Sequence, residues 1–293
     1  MAKRGRNSYN KATFILKDTN MFYITSSDNV KIAVYNFDCG GDHTVFLVHG
    51  WPLSHKMYEY QIERLVSSGY RVVTMDLRGF GSSDAPGCGY CYDRMAADIY
   101  EIIKTLCLTD ITLVGFSMGG AIVLRYMNLY QGYGVGQLIL LAAAAPSWTQ
   151  RPGFPYGVTR ESVNAMIEQA RTDRPKLAYE FSHEQLFASP QSEEAKDWFG
   201  DVALSASGIG TVKTAISLRD EDGREDLAAV RVPTIIIYGA KDIVVPGNLI
   251  RVQHKGICGS KLYILENSGH GIIYDELEKF NQIFIGVIDE MWK

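Results

Sequence analysis

No stretch of this chain is apolar for the roughly 20 residues that a membrane-spanning helix needs. The longest such run, Leu138 to Ala145, is short enough to read as a buried strand. The amino terminus, MAKRGRNSYNKATF, is basic but has no apolar stretch behind it. It therefore carries no recognisable secretory signal and is expected to be a mobile tail. Cysteine is scarce, five residues in 293, and the odd count gives no disulfide framework. With no leader, these read as reduced thiols of a cytoplasmic protein. Cys88 and Cys91 form a lone CGYC without a second ligand pair or a redox-type helix start, so they read as structural. The H-E-x-x-H spacing and the phosphate-binding glycine loop are both missing, and neither a metal nor an organic cofactor is expected. A general basic field is missing too: the net charge is -4 and the pI about 5.9, which argues against nucleic acid as a partner and for small molecules.

What is present is ordinary globular composition, 46% hydrophobic and 21% charged. Periodicity predicts strands at Phe22–Thr25 and Val30–Phe37, then continuous apolar runs at Thr44–Val48, Arg71–Met75, Ile111–Val114, Gln137–Ala142, Thr234–Tyr238 and Lys261–Leu265. Unbroken apolar runs suit strands buried on both faces. Amphipathic segments alternate with them, at Met57–Ser67, Arg94–Leu106, Gly119–Tyr130 and Asp275–Trp292. Repeated βα units predict an α/β fold, a mostly parallel central sheet with helices on both faces. Between Pro146 and Val232 the strand signal vanishes and the sequence becomes polar and helix-prone, with Trp148, Phe154, Tyr156, Phe181, Phe187, Trp198 and Phe199 scattered through it. The expected organisation is a core of residues 1–146 and 232–293 with a helical cap, 147–231, over the strand ends, where open α/β sheets bind ligands. Most of these aromatics are expected to hold a small core of the insertion's own.

The sharpest local signal is Gly115-Phe116-Ser117-Met118-Gly119, directly after an apolar strand and before a helical pattern. This is the G-x-S-x-G elbow in the context it requires. A serine on so sharp a turn is strained, and the positions two before and two after it must lack side chains. A serine hydroxyl is a weak nucleophile that needs an adjacent imidazole, itself held in one tautomer by an acid. In chain order after the serine, Asn267-Ser268-Gly269-His270-Gly271 supplies the histidine from a small-residue loop behind a strand. Asp242, in the loop after Ile235–Tyr238, is the preferred acid. Asp220 and Asp222 are rivals by order but sit in a charged run that reads as solvated. Two backbone N–H groups should receive the oxyanion, those of Met118 and of Trp51 in His49-Gly50-Trp51-Pro52.

His49-Gly50-Trp51-Pro52-Leu53-Ser54, Asp76-Leu77-Arg78-Gly79-Phe80-Gly81-Ser82-Ser83-Asp84, the serine elbow, Tyr238–Asp242 and Ser268-Gly269-His270 span nearly the whole chain. In this order they resemble the α/β-hydrolase superfamily, and most of all its cofactor-free (non-heme) haloperoxidases, perhydrolases and aryl esterases. The resemblance implies a Ser117, Asp242, His270 triad, an oxyanion hole from Trp51 and Met118, a helical cap, and a structural role for Asp76 to Asp84. It implies serine-dependent hydrolysis of a small ester or lactone through an acyl-enzyme. Three alternatives stay open: perhydrolysis of a short carboxylic acid at the same residues, carbon-carbon bond hydrolysis, and a non-catalytic small-molecule receptor. The oligomeric state is equally open.

Overall fold

The computed structural model describes residues 20–292, so the basic amino-terminal segment discussed above lies outside the described residues. Eight strands form one sheet: β1 (Met21–Thr25), β2 (Lys31–Phe37), β3 (Thr44–Val48), β4 (Arg71–Met75), β5 (Ile111–Phe116), β6 (Val135–Leu141), β7 (Thr234–Gly239) and β8 (Lys261–Leu265). Their spatial order is β1-β2-β4-β3-β5-β6-β7-β8, antiparallel through β1, β2 and β4 and parallel from there on. The elbow strand β5 thus lies near the middle. Side chains alternate across it with a period of two. Phe46, Leu113, Leu138, Leu140 and Ile236 enter one apolar cluster, together with α2 (Tyr92–Thr105), α3 (Met118–Leu129) and α8 (Gly247–Gly256). Leu47, Val114, Phe116, Ile139 and Ile237 enter the other, with α1 (Glu59–Ser67), the single turn α9 (Ile272–Asp275) and α10 (Leu277–Trp292).

Four helices fill the interval between β6 and β7: α4 (Arg160–Thr172), α5 (Arg174–Glu180), α6 (Glu193–Leu204) and α7 (Gly208–Asp220). The sequence marks their starts. Thr159, Asp173, Ser192 and Ser207 each accept a backbone N–H from the first turn, a contribution typically of about 1 kcal/mol per cap. One expectation is corrected here. The aromatics of this segment do not build a separate core: Trp148 and Phe154 join the first cluster of the sheet, and Phe181 and Phe199 the second. Each inserted helix is too short to bury an apolar face alone, so the segment shares the cores already present. The amphipathic helix α8 was absent from the sequence-based pattern, and the closing helix is divided at Glu276 into α9 and α10.

Arg78, in the loop after β4, is fully buried. Its guanidinium donates to both oxygens of Asp98 at 2.7 Å each, and to Asp28 at 2.7 and 3.1 Å. The Arg78 hydrogen bonds hold the Asp28 carboxyl well below the usual carboxylate range. Removing one member of a buried pair strands the other's charge. Arg78→Met should lower the unfolding free energy in urea by about 3 kcal/mol, and adding Asp98→Leu should recover part of that loss. A single variant as stable as wild type would show that the pair is not anchoring this loop.

Candidate active site

Ser117 sits between β5 and α3 with φ 52° and ψ -118°. A non-glycine residue rarely adopts this left-handed region, and the neighbours show how it is enforced. Ser117 N–H donates to the Leu141 carbonyl on β6 at 2.9 Å, and its own carbonyl accepts from Gly120 and Ala144. A Cβ on Gly119 would come within 2.4 Å of the His49 carbonyl oxygen, and one on Gly115 within 2.6 Å of the Gly119 carbonyl oxygen. Both glycines are therefore required by close backbone approach.

The chain brings Ser117, His270 and Asp242 together from three separate loops. Ser117 Oγ lies 3.0 Å from His270 Nε2, and His270 Nδ1 lies 2.8 Å from Asp242 Oδ2. A carboxylate only accepts, so Nδ1 carries the proton and Nε2 is free to accept from the serine. Both the His270 and the Asp242 side chains are fully shielded from solvent. Asp242 Oδ1 is held in turn by the N–H groups of Val244 and Val245, at 2.8 and 2.9 Å. The two loops interlock: Lys241 N–H donates to the Ser268 carbonyl, and a Cβ on Gly239 would meet the Gly269 carbonyl oxygen at 2.2 Å. The rivals lie elsewhere. Asp220 pairs with Arg160 and Arg219, and Asp222 with Arg224.

Trp51 lines the same cavity as Ser117, and its backbone N–H takes no acceptor among the described residues. Met118 opens α3, so its N–H has no partner four residues back within the helix. Trp51 is also tied to the inserted helices. Its indole N–H donates to the Thr211 carbonyl on α7 at 3.0 Å, and its ring meets Phe181 edge-on at 6.3 Å. The cavity measures about 340 Å3 and is mostly apolar, with Trp148 and Leu218 on one side and Ile243 and Val244, next to Asp242, at another. Of the insertion's aromatics, Trp148 and Phe181 line it.

Two supporting residues, Asp275 and His49, have no assigned role in the sequence reading, and a third, Asp76, has one only as part of a segment that the resemblance implies is structural. Asp275 receives the N–H groups of Gly269, Ala188 and Ser189, which fastens the His270 loop to the inserted segment. Asp76, also buried, accepts from the backbone N–H of His55 and of Ser82 and from Tyr35. His49 Nδ1 donates to the Gly50 carbonyl while Nε2 accepts from Leu77 N–H, both at 2.9 Å, so the neutral ring braces the Trp51 loop against the end of β4. The signal was present as a polar residue beside each motif, but its partners are remote in sequence.

The fold and the serine-bearing elbow define an α/β hydrolase architecture, and the chain belongs to the alpha/beta hydrolase fold family, whose model matches residues 43–277. It is 45% identical to the AB hydrolase superfamily protein YisY of Bacillus subtilis, over 89% of this chain and 96% of that protein. It is 31% identical to the non-heme chloroperoxidase CPO-A1 of Kitasatospora aureofaciens, over 88% and 96% of the two chains. Among solved structures, an esterase from Exiguobacterium antarcticum superposes with a TM-score of 0.88 at 44% identity, covering 91% of this chain and 98% of the other.

Burial pushes the His49 imidazole down from 6.5 to about 4. Between these values the unfolded chain binds a proton that the folded chain refuses, so stability falls as the pH drops through that window. This group alone should remove about 2 kcal/mol of unfolding free energy between about pH 7 and about pH 5. Urea unfolding at both pH values should show a loss smaller by that amount in His49→Asn. An unchanged loss would place the proton elsewhere.

Proposed function

We propose that the chain is a serine hydrolase that cleaves a carboxylic ester or lactone of a small molecule through an acyl-enzyme. The observation that carries this reading is the unbroken Ser117–His270–Asp242 hydrogen-bond chain, with Ser117 lining an apolar cavity. In this mechanism Ser117 Oγ attacks the carbonyl carbon while His270 Nε2 takes its proton. Asp242 keeps the imidazole in the productive tautomer and stabilises the imidazolium. The tetrahedral oxyanion is received by the N–H groups of Trp51 and Met118, each contributing on the order of 3 kcal/mol to the transition state. His270 then returns the proton to the leaving alcohol, and water repeats the sequence in reverse. The segment 147–231 acts as a cap that keeps bulk water from the acyl-enzyme and shapes what enters. The esterase named among the solved relatives supports this reading.

A second reading at the same residues is favoured by the chloroperoxidase name of one relative. Hydrogen peroxide would replace water as the acceptor of the acyl group, releasing a peracid that oxidises halide in solution.

Hydrolysis of p-nitrophenyl acetate tests the first reading. Ser117→Ala and His270→Ala should lose about a millionfold in kcat, and Asp242→Asn roughly ten-thousandfold, with the fold intact. Retention of most activity by Ser117→Ala would refute the assignment. Acetate- and peroxide-dependent bromination, lost in the same variant, would establish the second reading alongside the first.

A further inference from the structure

The chemistry at Ser117 leaves the rest of the cavity lining unexplained. That lining carries no charged side chain, and the segment between β6 and β7 supplies it with Val163, Met166, Leu177, Phe181 and Leu218. Two side-chain amides are set into this apolar surface, Gln169 on α4 and Gln185 in the π-helical turn Phe181–Gln185. Ser162 also lines the cavity, but its hydroxyl is engaged, donating to the Thr159 carbonyl at 2.8 Å.

The sense of the Gln169 amide is chemically fixed. Its Nε2 lies 2.7 Å from Glu180 Oε2, and since a carboxylate only accepts, the atom there must be the nitrogen. Glu180 is itself paired with Lys176 at 3.6 Å, one turn back on α5. One N–H of that nitrogen is thereby used, and the carbonyl oxygen is the acceptor that Gln169 retains for a guest, with no partner among the described residues. An oriented acceptor in an apolar wall discriminates by the cost of leaving it unpaired. A guest with a hydroxyl satisfies it. A purely aliphatic guest leaves it unpaired, and an anionic guest meets a lone pair in a lining that includes no charged side chain.

We propose that the group lodged under the inserted helices is an uncharged carbon skeleton bearing a hydroxyl, recognised by Gln169, with Glu180 as the residue that positions the amide. The substrate is then a hydroxylated neutral ester or lactone. This deepens the ester-hydrolase reading and rests on it for the identity of the reacting bond.

Binding to the Ser117→Ala protein, followed by the fluorescence of Trp51 and Trp148 in the cavity wall, separates the two claims. The probes are hexyl acetate, its counterpart with a terminal hydroxyl and its counterpart with a terminal carboxylate. The same three endings on methyl hexanoate cover the acyl side. The hydroxylated member of one series should bind about three- to tenfold more tightly than its parent, the net effect of one neutral hydrogen bond, and the carboxylate should bind most weakly. Gln169→Leu should equalise hydroxylated and parent compounds, the parent binding at least as tightly as before because no acceptor is left unpaired. Glu180→Leu should lose the preference, whereas Glu180→Gln, which still accepts through its own carbonyl, should keep it. Equal binding in both series, a preference that survives Gln169→Leu, or no binding of any probe would overturn the proposal. None of these readouts requires turnover, so failure of serine-dependent hydrolysis in the wild type would count against the reaction alone.

Discussion

Everything in the site depends on one strained residue. Ser117 is held in a left-handed backbone conformation at the end of a central strand, a state that costs of order 1–3 kcal/mol and persists only where its surroundings over-determine it. The two neighbouring strands and the segments that follow them do so here. β6 accepts the Ser117 N–H through Leu141, the segment after β6 donates back through Ala144, and the His49 carbonyl after β3 presses on Gly119. The parallel register of β3, β5 and β6 is thus what places the hydroxyl, and the large apolar clusters on either face are what keep that register. The strain is offset by burial spread over the whole sheet.

Around this fixed point the remaining groups are positioned by buried polar side chains that satisfy loop backbone. Loops at the strand ends cannot use ladder hydrogen bonds, yet they are packed too deeply for water to serve every N–H and carbonyl. Asp76 and His49 serve the loop that carries Trp51, Asp242 serves its own turn as well as the imidazole, and Asp275 serves the loop that carries His270. Carboxylates recur because one can accept several N–H donors at once. The same device joins the core to the inserted helices, since Asp275 also receives Ala188 and Ser189.

The parts legible in sequence were those set by local backbone demands. Gly115 and Gly119 flank Ser117 because no side chain fits there, and the buried strands show as apolar runs because both faces are covered. The strands were placed to within two residues at either end, and Ser117, Asp242 and His270 do meet. What local pattern could not show was the role of polar residues whose partners are remote. His49 reads only as part of the Trp51 motif and Asp275 as the start of a helix, yet each braces a loop through a contact fixed only by the tertiary fold. Helix α8 is equally hard to read locally, because its ten residues follow directly on the apolar Ile243-Val244-Val245-Pro246 run, which obscures the start of its amphipathic period.

The aromatics of the insertion show why the reacting residues are easier to read than the substrate. Trp148 and Phe181 face the cavity, whereas Phe154 and Phe199 support the sheet, and nothing in their immediate sequence separates the two pairs. Ser117 sits on a turn with special backbone geometry, and that geometry restricts the composition around it. A cavity wall made of helices carries no such restriction: any side chain can occupy a helical position, and its meaning comes from what packs opposite. Gln169 illustrates this, since an amide on a helix is unremarkable until Glu180 fixes which way it is turned. Specificity in such a protein therefore resides in pairs of residues on adjacent helices, and it can change by substitution there without disturbing the elbow, its strain or the loops that serve it.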